Sequence, residues 1–290
     1  MVTDDESVHE RVVRGVLRLA SEMDLNESPP AMGQRIHRLI RQTTNKRDPY
    51  QLVKEQSNRF ALQLLPWMRQ KVLEATNRFQ MAVRLAVAGN ILDFGVQPRF
   101  EEDRVMSLID KTLREAIDTN AVKRLQADLK SANRVLYIAD NAGETVFDRL
   151  LIEQMPRQKL TFVVRGSPVI NDATMADARA CGLTEVAEII DNGSDAPGTI
   201  LADCSPDFRE RFAQADLVIS KGQGNYETLS DQDGVMWFLL KAKCPVIARD
   251  IGCPVGEVVL IRHEGTNQGA SGRRRVCPEE AVAHPGGSAR

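Results

Sequence analysis

The sequence is poor in the residues that build disulfide frameworks, zinc sites and histidine-based catalytic centres. Its five cysteines are odd in number and scattered, and no two of them form a CxxC motif. This pattern supports neither a zinc knuckle nor a disulfide framework, and it favours a reducing compartment, so we expect a cytoplasmic protein. Only four histidines occur, none of them in a motif. A histidine-rich metal site or a histidine-based triad is therefore not expected.

The chain also lacks a strong charge imbalance and long apolar runs. Its formal net charge is -2 with 27% charged residues, which gives no basic surface for nucleic acid. No apolar stretch approaches the roughly 20 residues that a membrane-spanning helix needs. The first ten residues are acidic and polar, unlike a secretory signal. We therefore expect neither a nucleic-acid partner nor a membrane partner.

Apolar residues are plentiful, at 42% of 290 residues, and their pattern changes along the chain. Residues 1–130 carry apolar stripes at helical spacing, which predict a multihelical domain. From about Arg134, short apolar runs alternate with helical segments. This alternation predicts an α/β domain over residues 131–264, with a Rossmann-like parallel sheet flanked by helices. Residues 265–290 are rich in Gly, Arg, Ser and Pro, and we expect a disordered tail there.

The individual elements of the α/β region follow from the same pattern. The predicted strands are Val135–Ala139, Leu160–Val164, Val186–Ile190, Leu217–Ser220 and Pro245–Ala248. The predicted helices are Thr145–Gln154, Ala173–Ala180, Pro206–Ala213 and Gly234–Lys241. The strands are continuously apolar, as expected for a parallel sheet that is covered on both faces.

Polar residues follow each predicted strand. They are, in strand order, Asp140 and Asn141; Arg165 with Asn171 and Asp172; Asp191 and Asn192; Lys221 to Asn225; and Asp250. A parallel sheet gathers these ends into one crevice, where ligands of open α/β sheets bind. Carboxylate and amide oxygens suit Mg²⁺ or Mn²⁺. The sequence therefore predicts a metal and phosphate site at this edge.

Each motif also has a structural interpretation. Asp140 is either a site residue or a cap for the following helix, and Asn171 is a plausible N-cap for a helix starting near Asp172. Lys221-Gly-Gln-Gly-Asn matches neither a Walker loop nor GxGxxG, and its lysine is either a mobile charge for phosphate or a solvated turn residue. Asn90 and Asp93 share a helix face and either cap that helix or roof the crevice. Cys204 has no nearby histidine, so we expect a buried structural thiol.

Taken together, five motifs resemble the metal-dependent damage-control phosphatase family, which includes proteins once labelled acidic-residue methyltransferases. They are GNILDFG, YIADNAGETVFDRLLIE, FVVRGSPVINDATMADA, IIDNGSDAPGT and ISKGQGNYETLS, and the resemblance runs from about Asp48 to about Arg262. It implies a multihelical domain packed on a Rossmann-like domain. It also implies a divalent metal, commonly Mn²⁺, Mg²⁺, Co²⁺ or Ni²⁺, and hydrolysis of phosphate monoesters of small, often damaged, metabolites such as sugar phosphates.

The resemblance also implies roles for individual residues. Asp140, Asn141 and Asp172 match metal-binding positions, and Lys221 matches a phosphate-contacting position. Further positions that we expect to line the substrate site are Asn90, Asp93, Glu144, Arg165, Gly222 and Asn225. Many microbial members carry a cysteine pair near the N-terminus, whereas this chain has no cysteine before Cys181.

These residues predict phosphate monoester hydrolysis, with either water or Asp140 as the attacking group. The haloacid-dehalogenase signature DxDx[TV] is absent, which favours water. A rival hypothesis is an S-adenosylmethionine-dependent carboxyl methyltransferase, although the first turn is not glycine-rich and the second strand ends on Arg165. A third is a non-catalytic protein that binds a metal or metabolite. The sequence leaves the substrate, the cellular metal and the oligomeric state open.

Overall fold

The N-terminal part of the protein is helical, as its apolar stripes predict. The computed structural model describes residues 3–91, 102–115 and 117–265. Six helices precede the sheet: α1 (Glu6–Ser21), α2 (Pro29–Thr44), α3 (Gln51–Glu74), α4 (Arg78–Ile91), α5 (Glu102–Arg114) and α6 (Thr119–Ser131). Asp118 begins α6 by accepting hydrogen bonds from the backbone N–H groups of Asn120 and Ala121. The tail predicted over residues 265–290 lies, apart from Gly265, outside the described residues.

The second part is a six-stranded sheet in the order β3-β2-β1-β4-β5-β6. Its strands are β1 (Val135–Ile138), β2 (Leu160–Val164), β3 (Glu188–Asp191), β4 (Leu217–Lys221), β5 (Val235–Lys241) and β6 (Val258–Glu264). The helices between them are α7 (Glu144–Ile152), α8 (Met175–Ala180), α9 (Pro206–Ala213), α10 (Gln223–Leu229) and α11 (Pro245–Ile251). The first five strands are parallel, and β6 pairs antiparallel with β5. The predicted α/β class and its mostly parallel sheet are confirmed.

Two elements predicted near the C-terminal end of the α/β region are wrong. The segment predicted as helix Gly234–Lys241 forms strand β5, and the predicted strand Pro245–Ala248 begins helix α11. The β5 run is buried on both faces, and the four residues Pro245–Ala248 are too few to show a helical period, so neither run carries a period that separates strand from helix. Pro245 occupies the first turn of α11, where its missing N–H costs nothing. Strand β6 was not predicted at all.

The sheet is covered on both faces, which explains the continuous apolar strands. Side chains alternate between the faces along each strand. Val135 and Tyr137 of β1 face the helical layer made by α3, α4, α6 and α7, whereas Leu136 and Ile138 face α9, α10 and α11. Helices α3 to α6 therefore share one continuous apolar core with the first face of the sheet. Within the described residues, no helix is both long and apolar enough to cross a membrane.

Candidate active site

The strand order reverses between β1 and β4, which makes the gap between their carboxyl ends the topological switch point. Asp140 follows β1, and Gly222 follows β4. Gly222 has a φ of 83°, and a Cβ on it would lie 2.0 Å from Asp140 Oδ2. Only glycine permits both this backbone conformation and this approach. The chain therefore brings the backbone after β4 directly against the Asp140 carboxylate.

The end of β2 is joined to the end of β1 by backbone hydrogen bonds. Asn141 and Asp172 form an isolated antiparallel bridge. The Ala173 N–H donates to Asp140 O at 2.8 Å, and the Ala142 N–H donates to Asn171 O at 2.8 Å. Asp140, Asn141 and Asp172, the set predicted to hold a metal, are thereby brought side by side. Asp140 and Asn141 keep partial exposure, whereas Asp172 is buried.

Helix α4 closes the crevice from the helical layer. The Asn90 amide donates to Asp140 Oδ2 at 3.1 Å and to both Glu144 carboxylate oxygens at 3.2 Å. Asn141 Nδ2 also donates to Asp140 Oδ2, at 2.8 Å, and to Glu144 Oε2, at 3.3 Å. Of the two alternatives left open by the sequence, Asn90 therefore faces the crevice. Asp93 lies outside the described residues.

Lys221 is completely buried behind this cluster. Its ammonium donates to Glu144 Oε1 at 2.6 Å, Asp148 Oδ1 at 2.6 Å and the Ala86 carbonyl at 2.9 Å. These three bonds use the three N–H donors of a lysine. Lys221 is thus neither a solvated turn residue nor the mobile charge that the sequence suggested. Burial lowers its pKa, but the Asp148 and Glu144 carboxylates outweigh burial and raise that pKa, so the lysine stays charged.

Arg165 is also enclosed, on the other side of Asp172. Its Nε donates to Asp172 Oδ2 at 2.7 Å, its Nη1 to Thr199 Oγ1 at 3.1 Å and its Nη2 to Asn225 Oδ1 at 3.0 Å. The Asn225 amide in turn donates to Lys221 O at 2.7 Å and Ala139 O at 3.1 Å. Arg165 and Asn225, both predicted to contact substrate, are therefore bonded to protein groups that frame the crevice.

The site holds more carboxyl groups than cations. Burial, with Glu144 and Asp172 close by, raises the pKa of Asp140 to about 8. Burial raises the pKa of Asp148 to about 6 in spite of Lys221, and it raises that of Asp172 in spite of Arg165. Four carboxyl groups, of Asp140, Glu144, Asp148 and Asp172, thus lie beside the buried cations of Lys221 and Arg165. The charge of Lys243 also acts on Asp140, and that of Lys54 acts on Asp172, and each lowers the pKa of that carboxyl group.

A divalent cation fits this excess of carboxyl groups, and the donors are hard oxygens. Among the described residues, no group of three or more His, Cys, Asp or Glu side chains is arranged to hold a metal. A metal at this edge would therefore need the amide of Asn141 beside the carboxylates of Asp140 and Asp172. The donor chemistry fits a metal ion that keeps open positions for water or phosphate oxygens.

Several structural interpretations of the motifs are now decided. Thr174, not Asn171, caps α8, through a capping box with Asp177, so the cap predicted at Asn171 is wrong. Gly143, not Asp140, occupies the N-cap position of α7. Cys204 is buried, and burial raises its pKa to about 12, as expected of a structural thiol. Asp250 lies in α11 and accepts a hydrogen bond from Tyr226 at 2.6 Å, so its predicted place at a strand end is wrong.

No role was predicted from the sequence for Asp148, Thr199 or Asn58. Asn58 of α3 accepts a hydrogen bond from the Gly143 N–H at 2.7 Å and so fixes the turn that follows Asn141. Thr199 lies in the IIDNGSDAPGT motif, whose polar residues were the available signal. Asp148 lies four residues after Glu144, on the same face of α7, and this spacing was the signal for it.

A cavity of about 740 Å³ lies at the opposite edge of the sheet, where the parallel strands begin. Its lining includes Arg134, Lys159, Glu188, Asp207 and Arg211. Arg211 forms ion pairs there with Glu188 and Asp207, and all three side chains are exposed. The carboxylate cluster is therefore not in this cavity.

The fold places these carboxyl groups at the switch point of an α/β sheet, and similar proteins identify the family. A family model described as the damage-control phosphatase ARMT1-like domain matches residues 1–259. The chain is 37% identical over 265 residues to a damage-control phosphatase of Archaeoglobus fulgidus, with 89% of this chain and 91% of that protein covered. It is also 37% identical over 272 residues to an uncharacterised protein of Methanocaldococcus jannaschii, with 90% and 89% covered.

A solved structure shows the same fold. The crystal structure of a DUF89 family protein from Pyrococcus horikoshii matches with a TM-score of 0.82 at 33% identity, over 91% of this chain and 92% of that one. The chain belongs to the damage-control phosphatase ARMT1-like family. This membership confirms the resemblance seen in the motifs and supports a phosphatase role.

Proposed function

We propose that the protein is a metal-dependent phosphomonoesterase that acts on small phosphorylated metabolites, such as sugar phosphates, including damaged ones. The observation that carries this proposal is the buried excess of carboxylates at the switch point. Buried carboxylates in excess of their paired cations are costly unless a further cation balances them. Asp140, Asn141 and Asp172 would hold Mn²⁺ or Mg²⁺, with Co²⁺ or Ni²⁺ as alternatives. Once bound, such an ion withdraws negative charge from phosphoryl oxygens.

The surrounding residues orient these groups. Asn90 and Asn141 donate to the same oxygen of Asp140, which fixes the direction of its carboxylate. Lys221 holds Glu144 through its buried ion pair. A direct contact between Lys221 and phosphate, as the family resemblance implies, requires its ammonium to leave one of its three partners when substrate binds. Gly222 leaves room for the Asp140 carboxylate, because any side chain there would occupy the carboxylate position.

We propose water rather than Asp140 as the attacking group. The DNAGE turn has alanine where the haloacid-dehalogenase signature has its second aspartate. Mass spectrometry of protein quenched during turnover distinguishes water from Asp140 as the attacking group. A phosphorylated aspartate at position 140 would overturn the choice of water, and unmodified protein during steady turnover would support it.

The activity is tested with a panel of sugar phosphates and other small phosphate esters, each assayed with Mn²⁺, Mg²⁺, Co²⁺ and Ni²⁺. We expect turnover by the wild-type protein and its loss in Asp172→Asn. Asp216→Asn is the control, because Asp216 is an exposed aspartate at the other edge of the sheet. Undiminished hydrolysis in Asp172→Asn would remove the metal assignment. Metal binding without turnover across the panel would favour a non-catalytic binding protein.

The rival methyltransferase hypothesis conflicts with the geometry of the turn after β1. Asp140 and Gly222 are in contact there, and the carboxylates crowd the space that follows. A thermal shift with Mn²⁺ compared with S-adenosylmethionine separates the two hypotheses. Stabilisation by S-adenosylmethionine alone would favour the methyltransferase. We further propose a cytoplasmic protein with a small-molecule substrate and no nucleic-acid or membrane partner.

A further inference from the structure

One arginine connects the segments that follow three strands of the sheet. Arg165 follows β2, and its side chain is 1% exposed. It bonds Asp172 beyond the same strand, Thr199 in the segment after β3, and Asn225 in α10 after β4. A buried side chain with bonds to three separate segments fixes those segments relative to one another.

The partners of Arg165 are themselves held in place. Thr199 Oγ1 donates to Asn225 Oδ1 at 2.8 Å, and the Thr199 N–H donates to Thr228 Oγ1 at 2.9 Å. The Asn225 amide donates to Ala139 O, which belongs to the residue directly before Asp140. The hydrogen-bond network therefore begins at the carboxylate of Asp172 and ends on the backbone that carries Asp140.

The shape of the guanidinium matters for this arrangement. Its N–H donors point in fixed directions within one plane, whereas a lysine ammonium is a single point charge on a flexible stem. Bonds to Thr199 and Asn225 fix that plane, so Nε can approach Asp172 from only one direction. The carboxylate oxygen bonded to Nε, Oδ2, is thereby fixed, and the orientation of the other oxygen, Oδ1, follows from it.

We propose that Arg165 is a positioning residue that holds the Asp172 carboxylate in the orientation that binds the metal. Thr199 and Asn225 hold the guanidinium of Arg165 in place, and Arg165 does not contact the substrate. This inference rests on the proposed metal site and revises the substrate-lining role that the family resemblance implied. Groups that hold a metal-binding side chain in place typically change metal affinity by about 10- to 100-fold when they are replaced.

The test uses the full chain and measures Mn²⁺ affinity directly, by electron paramagnetic resonance of free Mn²⁺ or by calorimetry. Arg165→Lys keeps the positive charge and removes the planar set of N–H donors. Thr199→Val keeps the shape and removes one partner of Arg165. Arg149→Lys is the matched control, because Arg149 is another buried arginine, bonded to Glu153, Glu185 and the Cys181 carbonyl instead of to the site.

We expect Arg165→Lys to bind Mn²⁺ about 10- to 100-fold more weakly than wild type, and Thr199→Val to show a smaller loss. Arg149→Lys lowers the melting temperature but leaves Mn²⁺ affinity unchanged. At saturating Mn²⁺, the KM of Arg165→Lys for a phosphate ester equals that of wild type. A raised KM at saturating Mn²⁺ would show that Arg165 contacts substrate and would overturn the proposal.

Wild-type Mn²⁺ affinity in Arg165→Lys would also overturn it. If Arg165→Lys does not fold, Thr199→Val decides, and unchanged affinity in that variant overturns the proposal. Failure of the wild-type protein itself to bind Mn²⁺ would remove the proposed metal site and this inference together. That result is seen in the parent protein, so it is distinguishable from a failure confined to the variants.

Discussion

The two edges of the sheet both carry many charged groups, yet they differ in how those charges meet water. At the carboxyl edge, Lys221 and Arg165 are 0% and 1% exposed, and the carboxylates they bond are buried with them. At the amino edge, the Arg211 and Glu188 side chains are 39% and 55% exposed, although a cavity of about 740 Å³ lies between the elements. Cavity size alone would direct attention to the amino edge.

This difference shows that the burial of charged side chains is a better guide to the candidate site than the volume of a cavity. Exposed ion pairs contribute about 0–1 kcal/mol, because water already solvates both partners. Buried carboxylates that outnumber their cations are costly to the fold, and such groups cluster at functional sites. The amino edge has paired charges in water, whereas the carboxyl edge keeps its carboxyl groups largely away from water. Each prediction below compares a change at one edge with a matched change elsewhere.

The largest expected effect is on activity. Asp140→Asn removes a carboxylate at the switch point, and we expect hydrolysis to fall by more than the roughly 100-fold that is typical for supporting groups. The same change stabilises the metal-free protein, because one member of a crowded set of carboxylates is gone. Glu188→Gln at the amino edge is the control and should keep full activity. Steady-state assays and thermal unfolding of the metal-free proteins check both expectations.

Next in size is the loss of a buried cation. Lys221→Met leaves Glu144 and Asp148 buried without their counter-charge, and breaking a buried pair costs about 3–5 kcal/mol. Arg211→Met at the amino edge removes an exposed pair and costs less than about 1 kcal/mol. Urea unfolding of both variants measures the difference. Equal losses would show that the two edges are solvated alike and would remove the contrast between them.

Carboxyl groups at the two edges should also change the stability of the metal-free protein with pH in opposite directions. Asp140 has a pKa raised from 3.8 to about 8, so the folded metal-free protein retains a proton that the unfolded chain has released. Its stability therefore falls as pH rises from about 4 to about 8, and Asp148 adds to this fall between about 4 and about 6. Asp140→Asn should flatten the fall.

Asp216, at the amino edge, accepts hydrogen bonds from the backbone N–H groups of Asn133 and Arg134, which lower its pKa below 3.8. Its contribution is present above that value and is lost as pH falls through the lowered pKa. Asp216→Asn should therefore change stability only at the acid end. Melting temperatures across about pH 3 to 9, measured with a chelator present, test both signs. A metal-free protein that gains stability from about pH 5 to about pH 8 would contradict the prediction for Asp140.

The smallest expected effect on stability concerns Gly222. Gly222→Ala places an L residue at a φ of 83° and a ψ of 161°, which costs about 1–3 kcal/mol, and its Cβ displaces the Asp140 carboxylate. Gly256→Ala is the control, because Gly256 has a φ of 91° and a Cβ added there would meet nothing within 4 Å. We expect the larger loss of stability in Gly222→Ala, because its Cβ also meets Asp140, and a loss of activity only in that variant. Equal activity in the two variants would mean that contact with Asp140 is not required.

Much of the site was predictable because a parallel sheet gathers strand ends, whatever their order. The turn from Asp140 to Glu144 and the segment at Asn171 and Asp172 therefore converge as expected. The direction of Lys221 was missed, although strand alternation places it on the same face as Ile219, under the helical layer. Strand β5 and helix α11 were exchanged because β5 is buried on both faces and the apolar run that begins α11 has only four residues, so neither run shows its period.

The contacts of α4 tie the crevice to the helical half of the chain. Ala86 and Asn90 of this helix bond Lys221, Asp140 and the backbone of Lys241, and a Cβ on Gly89 would lie 2.9 Å from Phe147. The binding free energy of a ligand in the crevice therefore depends on the helical layer as well as on the sheet. Ligand binding should raise the melting temperature of a single unfolding transition shared by the helical layer and the sheet. The helical layer and the crevice should therefore unfold together. A substitution that destabilises the helical layer should lower the affinity for a ligand even where the substituted residue does not contact that ligand.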